Sequence, residues 1–152
     1  MTKEQALDAL EATIKEKWQD AKKAFDTSRA SVTSDQSKQE SKYDTRGLEE
    51  SYLAHGLAQS VMDLEEALSH LNTCRMSARS ETVQLGSLIH CRGTQGQSIY
   101  FLLSSSGGGI EAESEGNEVT IITPESPLAK NLTGKVSGES ISTPSFTIKE
   151  IL

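Results

Sequence analysis

The chain has 152 residues, of which 35% are hydrophobic, 5% aromatic and 24% charged, and its formal net charge is -7. That length holds one ordinary domain or two small ones, and so lean an apolar content points to an extended helical piece joined to a small packed domain rather than to one compact core. The acidic balance argues against a general nucleic-acid binder, which needs a basic face to neutralise phosphates.

The opening MTKEQALDAL is charged and amphipathic rather than the apolar core of a signal segment. No apolar run approaches the ~20 residues that span a bilayer. Residues 3–33 read as one helix, because Leu7, Leu10, Ile14, Trp18, Ala21, Phe25 and Val32 recur at three-and-four spacing without an intervening Gly or Pro. Thr2 followed by Gln5 is the pattern of a capping box.

The stretch SDQSKQESKYDTR at 34–46 separates this helix from a second helical pattern over 43–75. There Leu53, Leu57, Val61, Leu64, Leu68 and Leu71 form the stripe, with Glu65 and Glu66 expected to face away. Gly47 and Gly56 each weaken this helix by ~1 kcal/mol relative to Ala, but the stripe runs past both. Two single-stripe helices on a short link are each other's natural cover, which predicts an antiparallel helical hairpin over 1–80.

Beyond residue 80 the period changes. VQLGSLIHC, SIYFLL, NEVTIIT and FTIKEIL are separated by Gly- and Ser-rich turns, as antiparallel strands require. SPLAKNL at 126–132 reads as one short helix, with Ser126 as N-cap, Pro127 at the first helical position and Gly134 past the end. Residues 81–152 are therefore expected to form a small antiparallel β domain with one short helix, and the whole chain to be of the α+β class.

No self-contained chemistry stands out. His55, His70 and His90 lack metal-ligand spacing, and TGK at 133–135 lacks the upstream glycine of a phosphate loop. Cys74 and Cys91 form no CxxC and are expected to be two reduced thiols of a cytoplasmic protein, a disulfide between them being the alternative.

A helical hairpin followed by ITPESPLAKNLTGKVSGESI resembles the GreA/GreB family of bacterial transcript-cleavage elongation factors, through Ser126, Pro127, Leu128, Ala129, Leu132, Gly134, Lys135, Gly138 and Glu139. KYDTRGLEESYLAHG looks like a divergent, GreA/GreB-like subgroup. The resemblance implies an FKBP-like C-terminal domain that docks on the rim of the secondary channel of RNA polymerase, with Glu125, Ser126 and Pro127 in the docking surface. It also implies a hairpin tip that approaches the polymerase active site. In cleavage-competent members two tip acids help hold a second magnesium ion, whose water hydrolyses backtracked RNA.

Matched on ESKY, those acid positions fall at Gln36 and Gln39, and amides are weaker magnesium ligands than carboxylates. Matched from DLEEAL, the tip takes in Glu40 but puts Tyr43 at the second acid. Within the tip, Asp35, Glu40 and Asp44 are the candidate acids for a displaced metal-recruiting set, but they are balanced by Lys38, Lys42 and Arg46, and cations oppose the holding of a divalent ion. The expectation is a non-enzymatic, monomeric partner of RNA polymerase that modulates elongation with weak or no stimulation of cleavage. It has no cofactor of its own, any Mg2+ being held mainly by the polymerase, and no membrane or stable nucleic-acid partner. The alternative is a coiled-coil interaction protein that acts through self-association or another partner.

Overall fold

The computed structural model describes residues 1–34 and 46–152. Helix α1 spans Lys3–Ser34 and helix α2 spans Arg46–Met76. The expected start of α2 at Tyr43 lies outside the described residues. The capping box forms in both directions: Thr2 Oγ1 accepts from the Gln5 N–H at 3.2 Å, and Gln5 Oε1 accepts from the Thr2 N–H at 2.7 Å.

Cross-helix contacts fix the antiparallel course of the hairpin. Near the end of α2, Arg75 pairs with Glu4, with Asp8 at 2.9 Å and with Glu11 at 3.0 Å, all in the first turns of α1. Farther along the shaft the Trp18 Nε1–H donates to Glu65 Oε1 at 3.0 Å. Glu65 therefore does not face away as its place beside the stripe suggested. A seam-facing indole N–H needs an acceptor, and a glutamate on the flank of the stripe is long enough to supply one.

The remaining elements are β1 (Leu88–Gly93), β2 (Ser98–Leu103), β3 (Glu111–Ser114), β4 (Asn117–Ile122), α3 (Pro127–Leu132), β5 (Ser140–Ser142) and β6 (Ser145–Ile151). They build one six-stranded sheet in the order β3-β4-β2-β1-β6-β5. The architecture is that of the expected fold class, a long antiparallel helical hairpin followed by a β domain with one short helix. The sheet is not wholly antiparallel, however. β2 and β4 pair in parallel, from Tyr100 opposite Val119 to Leu103 opposite Ile122. The reason lies in β3, a four-residue strand that takes the outer edge, so that the chain returns from it through Glu115 and Gly116 and inserts β4 between β3 and β2. Strands as short and polar as β3 and β5 leave little trace in a hydrophobic pattern.

The central strands bury both faces. On one, Leu88, Tyr100, Leu102, Val119 and Ile121 pack against Ala6, Leu7, Leu10 and Ile14 of α1 and Ala67, Leu71 and Cys74 of α2. On the other, Ile89, Cys91, Phe101, Leu103, Ile122 and Ile148 pack against Ala129 and Leu132 of α3 and against Val83. Alternate residues of SIYFLL therefore belong to different cores, which is why that stretch reads as a continuous apolar run. At Gly107 a left-handed φ of +83° and lack of space both require glycine: a Cβ would lie 3.1 Å from Ala67 Cβ and 3.2 Å from Ile121 Cδ1.

Burial along the hairpin falls with distance from the sheet. Leu7, Leu10 and Ile14 are fully buried, whereas Trp18, Ala21 and Phe25, on the same stripe, are only half-buried. Two helices alone leave their seam half open, and only at the base does the sheet close it. Leu10→Ala is expected to cost ~2–5 kcal/mol, the range for a buried Leu truncation. Arg75→Gln, whose partners are largely solvated, should cost no more than about 1 kcal/mol. Urea unfolding followed by circular dichroism gives the order, and the reverse order would mean that the ion pairs, not the apolar joint, hold the hairpin to the sheet.

Candidate functional site

The corner that opens α3 carries the run Glu125, Ser126 and Pro127. Ser126 is in extended backbone at φ -65° and ψ 143°, and its Oγ accepts from the Ala129 N–H at 3.1 Å. Pro127 occupies the first turn, where no N–H is needed. Ala129 and Leu132 are buried beneath the helix, and the Thr133 hydroxyl donates back to the Ala129 carbonyl at 2.7 Å.

The residues that follow are spent on structure. Gly134, at φ +81°, donates to the Val83 carbonyl at 2.8 Å, and Gly138, at φ +93°, donates to the Ile148 carbonyl at 2.8 Å. Lys135 and Glu139 pair at 3.1 Å, while the other oxygen of Glu139 accepts from the Val136 N–H at 2.8 Å. That backbone bond first, and Lys135 second, hold the Glu139 carboxyl below its ordinary pKa. Gly134 and Gly138 thus tie this turn to Val83 and β6, while Lys135 and Glu139 close it internally.

What the fold does not use is Glu125. It is exposed, next to exposed Pro124 and Pro127, and no ion pair engages it among the described residues. Glu125, Ser126 and Pro127 are contiguous at this corner, with the Ser126 hydroxyl committed to its cap. The tip residues Asp35, Gln36, Lys38, Gln39, Glu40, Lys42, Tyr43 and Asp44 lie outside the described residues, and Arg46 opens α2.

Leu53, expected in the covered stripe, is instead exposed, because the two helices leave the seam open this far from the sheet; Leu48, Tyr52 and Met62 of α2, which the stripe analysis passed over, are exposed as well. Leu53 and Leu57, with Ala24, line an open groove between the helices. Leu48, Tyr52 and Met62 lie on the opposite side of α2 from Leu57, Val61, Leu64 and Leu68, which are half-buried toward the seam. A spacing of one turn from Leu48 to Tyr52 and of two heptads from Leu48 to Met62 was the available signal. On α1, Lys22 lies 5.1 Å from the ring centre of Trp18, and Arg29 lies 5.7 Å from that of Phe25. These cations lie over the aromatic rings of the half-open seam.

No group of His, Cys, Asp and Glu able to hold a metal ion occurs among the described residues. Cys74 and Cys91 are free and buried. Burial pushes the Cys91 thiol up to about 11 and raises Cys74 as well, so both sulfurs stay protonated near neutrality and are poor nucleophiles. His90 stacks on Tyr100 with ring centres 4.5 Å apart and shares a 3.1 Å hydrogen bond with Ser98 Oγ.

Burial first, then the positive charge of the chain's amino terminus, lowers the pKa of His90 below 6.5. A depressed folded pKa means that the unfolded chain binds the proton more readily. The stability His90 contributes is therefore full above the unfolded value and is lost as pH falls below it and through the folded value. Melting curves from pH 8 to pH 5 should show part of the acid-side decline disappear in His90→Gln. A decline unchanged by the substitution would assign it to other groups.

The capping geometry separates structural from unspent residues at the corner. Ser126→Ala should lower stability by ~1 kcal/mol through loss of the cap, whereas Glu125→Lys should stay within about 0.5 kcal/mol of the native protein. Thermal melts of the two variants test this, and a large loss in Glu125→Lys would give that carboxylate a structural task.

No family model and no curated protein matches this chain. Solved structures do resemble it in shape. A structure of the transcription factor Gfh1 is 16% identical with a TM-score of 0.38, covering 94% of this chain and 93% of its own. GreA factor homolog 1 (Gfh1) of Thermus thermophilus is 15% identical with a TM-score of 0.38, covering 95% of each chain. Gfh1 of Thermus aquaticus is 16% identical with a TM-score of 0.35, covering 97% of this chain and 94% of its own. Likenesses this loose neither locate a site nor assign an activity.

Proposed function

We propose that this protein is a GreA/GreB-like regulator that docks on RNA polymerase through the Glu125–Pro127 corner and extends its hairpin into the secondary channel. The observation that carries this reading is the division of labour within the signature. Ser126, Ala129, Leu132, Gly134, Lys135, Gly138 and Glu139 are occupied in making the α3 unit, and Glu125 is left exposed at its leading edge. A carboxylate beside two exposed prolines is a rigid, charged surface point, suited to a partner that offers a cation.

The hairpin supplies reach. At 32 residues α1 is about 48 Å long, enough for a narrow rod to approach a buried site that a packed domain cannot enter. Its tip does not fit the role of a metal-recruiting end. The acid positions implied by the family pattern hold Gln36 and Gln39, and three acids are matched by three bases over 34–46. The rod therefore occupies the channel and changes elongation without strongly stimulating RNA cleavage. Any magnesium there is held by the polymerase, and this chain acts as a regulator without an active site of its own.

Two measurements on the purified protein test the reading. Titration of core RNA polymerase should show saturable binding that Glu125→Lys weakens by about tenfold, equivalent to ~1.4 kcal/mol. In stalled, backtracked elongation complexes with magnesium, shortening of the RNA 3′ end should run within about twofold of polymerase alone, a difference of less than 0.5 kcal/mol in barrier. Absence of binding would overturn the docking role, and rapid shortening would overturn the silent tip.

A further inference from the structure

Of the seven large hydrophobic residues that stand exposed among the described residues, four lie between positions 48 and 62 of α2. Leu53 belongs to the groove between the helices. The other three, Leu48 at 57% exposure, Tyr52 at 69% and Met62 at 61%, share the face turned away from α1. Single exposed apolar residues are ordinary on a protein surface. A row of three over fourteen residues, roughly 21 Å of one helix, is the pattern of a docking face.

The charge around this row is one-sided. Residues 47–66 contain five acids, Glu49, Glu50, Asp63, Glu65 and Glu66, and no Lys or Arg. Among the described residues, the ion pairs between the helices converge on Arg75 at the base, away from this row. The acids nearest the row are exposed and, among the described residues, meet local partners: Glu66 lies 3.6 Å from His70, and Asp63 accepts from the Gln59 amide at 2.8 Å. A second copy is a poor occupant, because two such faces would bring like charges together. The complementary surface is apolar at its centre and carries Lys and Arg at its rim.

We propose that this face of α2, made by Leu48, Tyr52 and Met62 among Glu49, Asp63 and Glu66, is a second docking surface, and that its occupant is an apolar surface of RNA polymerase ringed by basic side chains. The proposal rests on the polymerase reading for the identity of the partner and on the row and its charge for the chemistry. The hairpin then grips one side of whatever it enters. The α3 corner sets where the protein docks, and the α2 face sets how tightly the shaft is held.

The test is a titration of core RNA polymerase with the fluorescently labelled full chain and two variants. In one, Leu48, Tyr52 and Met62 are all changed to Ser; in the other, Glu49, Asp63 and Glu66 are all changed to Lys. Each substitution is on an exposed helix face, and helix content by circular dichroism should match the native protein. Both variants are expected to bind at least about tenfold more weakly, and the charge-reversed one should lose most of the salt dependence seen with the native protein. Native-like binding by either variant overturns the second surface and leaves the polymerase reading standing. If the native protein itself fails to bind, both readings fall. If light scattering shows a native dimer that the triple-Ser variant abolishes while polymerase binding is kept, the face is covered by a second copy and the proposal is overturned.

Discussion

Everything in this molecule depends on a sheet that is buried on both sides. β1, β2 and β4 send alternate residues into two separate apolar layers, one closed by the base of the hairpin and the other by α3 and the β6 side of the sheet. The arrangement makes the shaft a lever mounted on a fixed plate. Leu7, Leu10 and Ile14 hold α1 where a third body is present, and farther out the same stripe is only half covered. A hairpin that relied on its own seam would have no fixed direction. One whose base is rooted in a sheet core has one.

The same economy shapes α3. Six residues are too few to be stable as an isolated helix, and α3 is held by a hydroxyl cap, a proline, two buried side chains and a ring of hydrogen bonds through residues 133–139. So many local devices on so short an element leave its leading corner rigid. Glu125 and Pro127 are presented on that corner without a conformational search, which would lower the entropic cost of the docking proposed above. The run is conspicuous in sequence because it builds this short capped helix, and it leaves the Glu125 carboxylate exposed at the edge.

Much of this was legible in the chain. The hairpin, its antiparallel sense, the capping box and the short helix with its Ser-Pro start all follow from spacing and local chemistry, because a helical stripe or a cap is written within a few residues. The parallel pairing of β2 with β4 was not legible, since it depends on where the short polar β3 lies in the sheet. Nor was the bond from Trp18 to Glu65, which joins residues that only the hairpin brings together. The row of Leu48, Tyr52 and Met62 was present in the spacing, but it was hidden by the stronger stripe on the same helix. Only burial told the two apart.

By itself the sequence determined what is periodic or local: two long helices, a β half, a capped short helix, an acidic balance, and a stretch between the helices in which three acids meet three bases. The tertiary structure decided which apolar residues are core and which are surface. Burial is a property of a third body, the sheet, whose position relative to a helix depends on contacts far apart in the chain. For that reason the main stripe of α2 is fully buried only near the sheet, at Ala67, Leu71 and Cys74, while Leu48, Tyr52 and Met62 stand in water.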